Sequence, residues 1–225
     1  MLTDMDRKFL EAHIPFLHRL SGPDRAALDG ATVKARFGQG TPVINRQQEC
    51  NGLVVVRDGQ LRAFYVTEDG KEITLYRLLA GDVCILSASC VLKNITFEVT
   101  LEAERASDLY FIPTSVLSDL SGNTPAVKEF TADLLAERFS EVMWVMEQMV
   151  SKNMGQRVAA FLLDQSSLEG SKMLAITHET IARNLGTARE VISRVLKYLE
   201  GEGLIRLSRG RIEILDARRL RETAG

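Results

Sequence analysis

Apolar and polar positions along the chain fall into three textures. Between about residues 30 and 112, short alternating apolar runs are separated by glycines. Gly52-Leu53-Val54-Val55-Val56-Arg57-Asp58-Gly59-Gln60-Leu61-Arg62-Ala63-Phe64-Tyr65-Val66 predicts a strand, an Asp-Gly turn and a second strand. Glu68-Asp69-Gly70-Lys71 predicts another turn, followed by a strand over 72–78 and further strands over 97–101 and 108–112. Short strands at this spacing predict an antiparallel barrel or sandwich. Two stretches ahead of it, 5–20 and 23–28, are expected to be helical and to pack on it.

After Pro125 the period changes. Val127, Phe130, Leu134, Leu135, Phe139, Val142, Met143, Val145, Met146, Met149 and Val150 recur mostly at steps of three and four. They predict one helix of about 28 residues, spanning about 40 Å. Such a stripe belongs either to a core or to a coiled-coil-like axis shared with a second copy. A short protein has little other core to hide it, so the shared axis is preferred. Phe130, Leu134, Phe139, Val142, Met146 and Met149 are the candidate dimer residues.

The third texture begins near Gly155. It predicts a helix over 156–165, a polar loop over 166–171, two more helices, and a hairpin over 204–215 with a basic turn. In the middle lies Thr177-His178-Glu179-Thr180-Ile181-Ala182-Arg183-Asn184-Leu185-Gly186-Thr187-Ala188-Arg189-Glu190-Val191-Ile192-Ser193-Arg194-Val195-Leu196-Lys197-Tyr198-Leu199. Thr177 is placed to cap a short helix with inner face Ile181, Ala182 and Leu185. Gly186 supplies the backbone freedom of a tight turn. Thr187 is placed to cap a second helix, buried through Val191, Ile192, Val195, Leu196 and Leu199. This is a helix-turn-helix plan.

Arg189, Glu190, Ser193, Arg194 and Lys197 are left facing outward. Arginine can bond guanine O6 and N7 together, and a carboxylate can accept from the cytosine amine. Arg189, Glu190, Ser193 and Arg194 are therefore candidate base readers. Thr177, His178, Thr187, Lys197, Arg206, Arg209 and Arg211 suit phosphates, which position without specifying. Glu190 has a second reading, since three residues after Thr187 it is also placed to close a capping box.

Charge supports this division. The net charge of −2 conceals 13 Lys/Arg against 9 Asp/Glu from Lys152 onward, and 15 against 21 before it. A basic C-terminal region on an acidic body fits phosphate contact at one end. Composition is otherwise that of a globular protein, 45% hydrophobic and 26% charged in 225 residues. No apolar run approaches the roughly 20 residues of a membrane helix. The stretch Met1–Asp6 is acidic, without the basic-then-apolar order of a secretory leader. Cys50, Cys84 and Cys90 are too few for a disulfide framework. A cytoplasmic protein with no membrane partner is expected.

At this point the chain resembles the cyclic-AMP receptor protein and fumarate-nitrate reductase regulator (CRP/FNR) family. The resemblance rests on the order of barrel, long helix and winged helix-turn-helix. It also rests on Ile176-Thr177-His178-Glu179-Thr180-Ile181-Ala182 and on the Arg-Glu-x-x-Ser-Arg core of 189–194, with Gly59, Gly70 and Gly81 at the family's barrel turns. It implies an α+β fold with three parts. These are an N-terminal antiparallel β-roll of the cyclic-nucleotide-binding type with its helices (1–124), a central dimerisation helix (125–152) and a C-terminal winged helix-turn-helix (153–225). It also implies a homodimer on palindromic operator DNA. Glu190 and Arg194 match the family's base-reading pair, Ser193 the serine of the fumarate-nitrate branch and Arg189 an arginine of the cyclic-AMP branch. A T-G-A half-site core follows, with RNA polymerase a further partner if the protein activates.

The signal input departs from both named branches. Gly81-Asp82 and the residues to Val99 contain no arginine to neutralise a cyclic phosphate, and burying that anion unpaired is costly. Three cysteines cannot supply the four ligands of an iron–sulfur cluster. What stands there is Cys84-x5-Cys90 flanking Ser87 and Ser89. Two small buried hydrophobes, a thiol switch, or part of a haem or small-molecule pocket with His13, His18, a methionine or a cysteine as ligand are all open. The cofactor and the effector, redox or small-molecule, stay unknown, and no metal site is expected. An enzyme is not expected either, for no phosphate loop, metal-binding helix or nucleophile–base pair is present. The competing reading is a cyclic-nucleotide-like ligand-binding regulatory module without DNA-binding activity.

Overall fold

A computed structural model of the chain describes residues 2–44, 52–84 and 99–225. The chain forms two compact units, one of residues 1–65 with 75–142, the other of residues 66–74 with 143–225.

In the first unit, α1 (Asp4–His13), a 3₁₀ turn (Pro15–Arg19) and α2 (Gly22–Ala31) precede six strands found among the described residues. These are β1 (Val33–Phe37), β2 (Pro42–Ile44), β3 (Leu53–Val66), β4 (Glu72–Leu79), β5 (Val83–Cys84) and β6 (Thr100–Ile112). The sheet order is β1-β6-β3-β4, with β2 paired to β6 and β5 to β3. The β1–β6, β2–β6, β3–β6 and β3–β5 ladders run antiparallel. The run Leu53-Val54-Val55-Val56 is apolar throughout because both its faces are covered. Leu53 and Val55 join one core with Leu10, Ile14, Phe16, Leu28, Tyr110 and Ile112. Val54 and Val56 point into the roll with Leu61, Ala63, Tyr76, Leu78, Cys84 and Leu101. Helix α3 (Thr114–Asn123) and the first half of α4 (Pro125–Ser151) close the first of these cores through Leu117, Leu120, Val127 and Leu134.

The Asp58-Gly59 pair is not the expected hairpin turn. β3 runs straight through it, and the pairing with β6 slips in register between Val56 and Leu61. Gly59 sits at φ +97°, where an added Cβ would lie 2.4 Å from the Ala106 carbonyl oxygen. The pair is a bulge that bends a long strand. Likewise the two strands expected around 97–112 are one strand over the described part, β6. The predicted turn at 68–71 does form, closed by Thr67 N–H to the Lys71 carbonyl at 2.8 Å.

The second unit holds α5 (Met154–Glu169), β7 (Met173–Leu174), α6 (His178–Leu185), α7 (Arg189–Gly201), β8 (Ile205–Ser208), β9 (Arg211–Ile214) and α8 (Ala217–Ala224). Helix α5 runs four residues past the predicted 165 and stops at Gly170 in the left-handed conformation, so the polar loop is shorter than expected. The strands order β7-β9-β8. Val158, Leu162, Leu174, Ile181, Ile192, Leu196, Leu199, Ile212 and Leu220 make its core. Strand β7 and helix α8 are not predicted by the sequence pattern. Among the described residues no helix is long and apolar enough to cross a membrane.

Candidate nucleic-acid interface

Helix α6 begins where Thr177 Oγ1 accepts the Thr180 N–H at 3.1 Å, and ends at Gly186 with φ +66°. Ile181 and Ala182 anchor it, and Ile192, Leu196 and Leu199, all fully buried, anchor α7 across the turn. The cap expected at the second helix is different. Ala188 occupies the N-cap position of α7 and no side chain bonds there, while Thr187 spends its N–H on the Ala182 carbonyl at 3.1 Å. Without a Thr187 cap there is no capping box for Glu190 to close. That carboxylate is exposed in the first turn of α7.

Arg189, Glu190, Arg194 and Lys197 are exposed along the outer face of α7, and Ser193 is half-buried beneath them. Ser193 Oγ donates to the Arg189 carbonyl at 3.0 Å and lies 2.9 Å from His178 Nδ1. Burial and the charge of Arg189 hold the His178 ring below the usual imidazole range. The β8–β9 hairpin turns at Arg209-Gly210, with Gly210 at φ +70°, and exposes Arg209 and Arg211. A groove of about 490 Å³ runs between α6, α7 and this wing, lined by Thr177, His178, Glu179, Arg189, Ser208 and Arg211. Four of the predicted contact residues thus meet in one groove. Arg206 points instead at Glu213 across the hairpin, 2.9 Å away.

The tip of the β3–β4 hairpin belongs to this same unit, a placement not predicted from the sequence. Ile73 forms an isolated antiparallel bridge with Leu185, and Thr74 Oγ1 donates to Asn184 Oδ1 at 2.8 Å. Asn184 is buried and also donates to the Thr180 carbonyl at 2.8 Å. Glu72 and Arg183 approach to 3.7 Å. An amide inside the apolar face of α6, next to Ala182 and Leu185, was the available signal: a buried polar side chain needs a partner.

In the first unit Cys84 is fully buried on β5, with Sγ 3.8 Å from the Tyr76 hydroxyl. Ser87, Ser89 and Cys90 lie outside the described residues. Other charged side chains of this unit are buried, Arg62 on the sheet face opposite Leu61 and Ala63, and Arg138 on α4. Arg62 is fully buried and stacks on Phe64 at 4.4 Å. Arg138 of α4 is buried over the Tyr76 ring at 5.0 Å and bonds Glu141 at 2.6 Å. Glu104 takes Arg77 at 2.7 Å and Gln60 at 2.7 Å. Burial alone would raise Glu104, but Arg77, Gln60 and the charge of Arg62 hold it below the usual carboxylate range. Arg138 stands four residues after Leu134 on the inward stripe of α4, which is how a reading for charge on an apolar face would have found it. His13 Nδ1 bonds the Phe9 carbonyl at 2.8 Å, and His18 is exposed. Among the described residues no three His, Cys, Asp or Glu side chains converge as a metal site.

The stripe of α4 divides. Phe130 and Leu134 pack into the first unit's core, Phe130 edge-on to Phe16 at 5.3 Å, and Val142 is half-buried. Phe139, Met146 and Met149 are exposed, as are Met143 and Val150.

A β-roll, a long helix and a winged helix-turn-helix with a basic outer face are the parts of a DNA-binding transcription regulator. Comparison with known proteins agrees. Residues 34–123 match the cyclic nucleotide-binding domain model and residues 156–223 the Crp-like helix-turn-helix domain model. The chain is 28% identical over 211 residues to the cyclic AMP receptor protein of Thermus thermophilus, covering 93% of this chain and 96% of the relative. It is 27% identical over 200 residues to the fumarate and nitrate reduction regulatory protein of Vibrio cholerae, covering 85% and 78%. Among solved structures, a crp/fnr family transcriptional regulator from Eubacterium rectale superposes with a TM-score of 0.91 at 43% identity, covering 95% of this chain and 99% of that one. The chain belongs to the CRP/FNR family of transcription regulators. Its relatives are regulators rather than enzymes, and regulators of this family bind DNA and are typically dimeric.

Proposed function

We propose that this regulator is a cytoplasmic homodimer that reads a palindromic operator with T-G-A half-sites, under control of a signal received at the β-roll. The observation that carries the reading is the exposed row Arg189, Glu190, Arg194 and Lys197 on α7, beside a groove closed by a wing with Arg209 and Arg211 at and beside its turn. Glu190 and Arg194 read one C·G pair, and Arg189 and Ser193 read its neighbours. His178, Thr177, Lys197, Arg209 and Arg211 hold phosphates, with Thr187 at the helix turn. Arg206 joins them by leaving Glu213, an exposed pair that costs little to break.

The second copy docks along α4. Ala132, Ala136, Phe139, Met143, Met146 and Val150 are exposed and follow steps of four and three, the spacing of a coiled-coil seam. Residues 1–124, 125–152 and 153–225 are the sensor, axis and output of this reading. If the protein activates transcription, RNA polymerase is a further partner. At the input, Arg138 presents a buried guanidinium over the Tyr76 ring, and its Nε meets no hydrogen-bond acceptor among the described residues. A small molecule bearing acceptor oxygens suits that lining better than thiol chemistry at the sealed Cys84.

Competition binding with duplexes carrying two inverted T-G-A cores tests the output. The core should compete best, and affinity should fall steeply with salt as counterions are released. Equal competition by duplexes scrambled in the core would refute the operator assignment.

A further inference from the structure

We propose that His178 determines which base Ser193 selects, by fixing the direction of the serine hydroxyl hydrogen. The inference rests on the reading of α7 as the base-reading helix. A hydroxyl offers one hydrogen and two lone pairs. The hydrogen of Ser193 goes to the Arg189 carbonyl, one turn back along α7, at 3.0 Å. His178 Nδ1 approaches the same oxygen at 2.9 Å from the first residue of α6. With the only hydroxyl hydrogen committed to the backbone, both contacts are satisfied together only when Nδ1–H donates to Ser193. One lone pair of Oγ is then left over.

The two helices that carry these residues are held rigidly. Ile181 and Ile192 are fully buried, and the Gly186 turn between the helices has no room for a side chain, because an added Cβ would lie 2.7 Å from Ile73 Cγ1. The His178–Ser193 bond therefore spans fixed supports. It leaves Ser193 facing the major groove as an acceptor only. An unconstrained serine serves donor and acceptor edges alike, whereas adenine and cytosine present amine hydrogens there and guanine and thymine present acceptors. Held by His178, Ser193 selects a base that bears an amine. His178 is a positioning residue in this scheme, acting through the serine oxygen.

The test uses the full chain and a library of duplexes with two inverted half-sites in which only the G·C pair of each core is fixed and all other positions are randomised. Bound and free fractions are sequenced for the wild type, Ser193→Ala, His178→Ala, His178→Asn and the double alanine variant. The base pair read by residue 193 is the one whose preference changes in Ser193→Ala. There the wild type should favour adenine or cytosine on the contacted strand by about fivefold, the worth of one net hydrogen bond. His178→Ala should bring that preference near parity. His178→Asn, whose amide reaches close to the position of Nδ1, should restore most of it. In the Ser193→Ala background, loss of His178 should change nothing further at that pair.

A second measurement leaves the protein untouched. Replacing an adenine at that pair by purine, which lacks the amine, should weaken wild-type binding about fivefold and leave Ser193→Ala binding unchanged. A wild-type preference for guanine or thymine at that pair overturns the proposal. So does a His178→Ala variant that keeps the full amine preference while Ser193→Ala loses it. If Ser193→Ala alters no position at all, the base-reading role of Ser193 fails, and the proposal falls with it.

Discussion

The Thr74 hydroxyl donates to Asn184 Oδ1 at 2.8 Å across a sequence separation of 110 residues, joining a hairpin tip to the first helix of the helix-turn-helix. Asn184 is buried, so its amide is committed on both sides, to Thr74 and to the Thr180 carbonyl. Asn184→Leu should destabilise the helix-turn-helix unit by about 1–3 kcal/mol, the cost of disrupting a buried polar pairing. Thr74→Val should cost about 1 kcal/mol. A double-mutant cycle by urea unfolding should show the two coupled, and strict additivity would mean the bond contributes nothing.

Glu190→Ala and Arg194→Ala should each relax discrimination at one C·G pair of the half-site by about 1–3 kcal/mol, read as base preference in competition binding. Arg209→Ala and Arg211→Ala should behave differently. They should weaken all sequences alike and each lower the salt slope of log affinity by about 1.

Gly186 combines a left-handed backbone at φ +66° with a neighbour 2.7 Å from where a Cβ would stand. Gly186→Ala should therefore cost more than the roughly 1–2 kcal/mol of the backbone conformation alone. Its thermal midpoint should recover part of the loss when Ile73 is shortened to valine, because the obstacle is the Ile73 side chain. No recovery would place the whole cost in the backbone.

Asp6 is buried at the foot of α1, with Lys34 at 2.7 Å, the Tyr110 hydroxyl at 2.7 Å and Arg57 at 3.3 Å. Burial alone would raise its pKa, but the bonds from Lys34, the Thr3 N–H and Tyr110 hold it well below the usual carboxylate range. A carboxylate depressed on folding contributes stability that is fully present above its unfolded pKa of about 4. That stability is lost as pH falls through the lower folded value. Asp6→Asn should remove roughly 3 kcal/mol at pH 7 and flatten the acid limb of the stability curve below about pH 4. An unchanged acid limb would assign the pH dependence elsewhere.

Met143→Glu and Met146→Glu place charges on the exposed seam of α4. Each should shift the protein to monomer by light scattering and weaken operator binding, since one half-site per molecule remains. A variant that stays dimeric would move the second copy to another face.

Much of the output end was legible before the structure. Thr177, Ile181, Ala182, Gly186, Ile192 and Leu196 interact over short sequence distances, where helix period and cap chemistry suffice. The misreadings share a cause. Asp58-Gly59 has the composition of a hairpin turn, but whether a glycine closes a turn or bulges a strand depends on the partner strand, here β6 at Ser107. Thr187 has the chemistry of a cap, yet its N–H is drawn back to Ala182 and the helix starts after Ala188. Phe130 and Phe139 look equivalent on a helical stripe. Only packing against Phe16 separates the inward one from the outward one.

The sequence by itself determined the order of roll, long helix and winged helix-turn-helix, the family, and the row of Arg189, Glu190, Ser193 and Arg194 on one helix. Periodicity and local chemistry carry that information. Only the tertiary structure decided that His178 meets Ser193, that Thr74 meets Asn184, and that Arg62 and Arg138 are buried charges of the first unit. Those pairings depend on which faces of distant segments come together, and hydrophobic periodicity states which face is buried without stating against what.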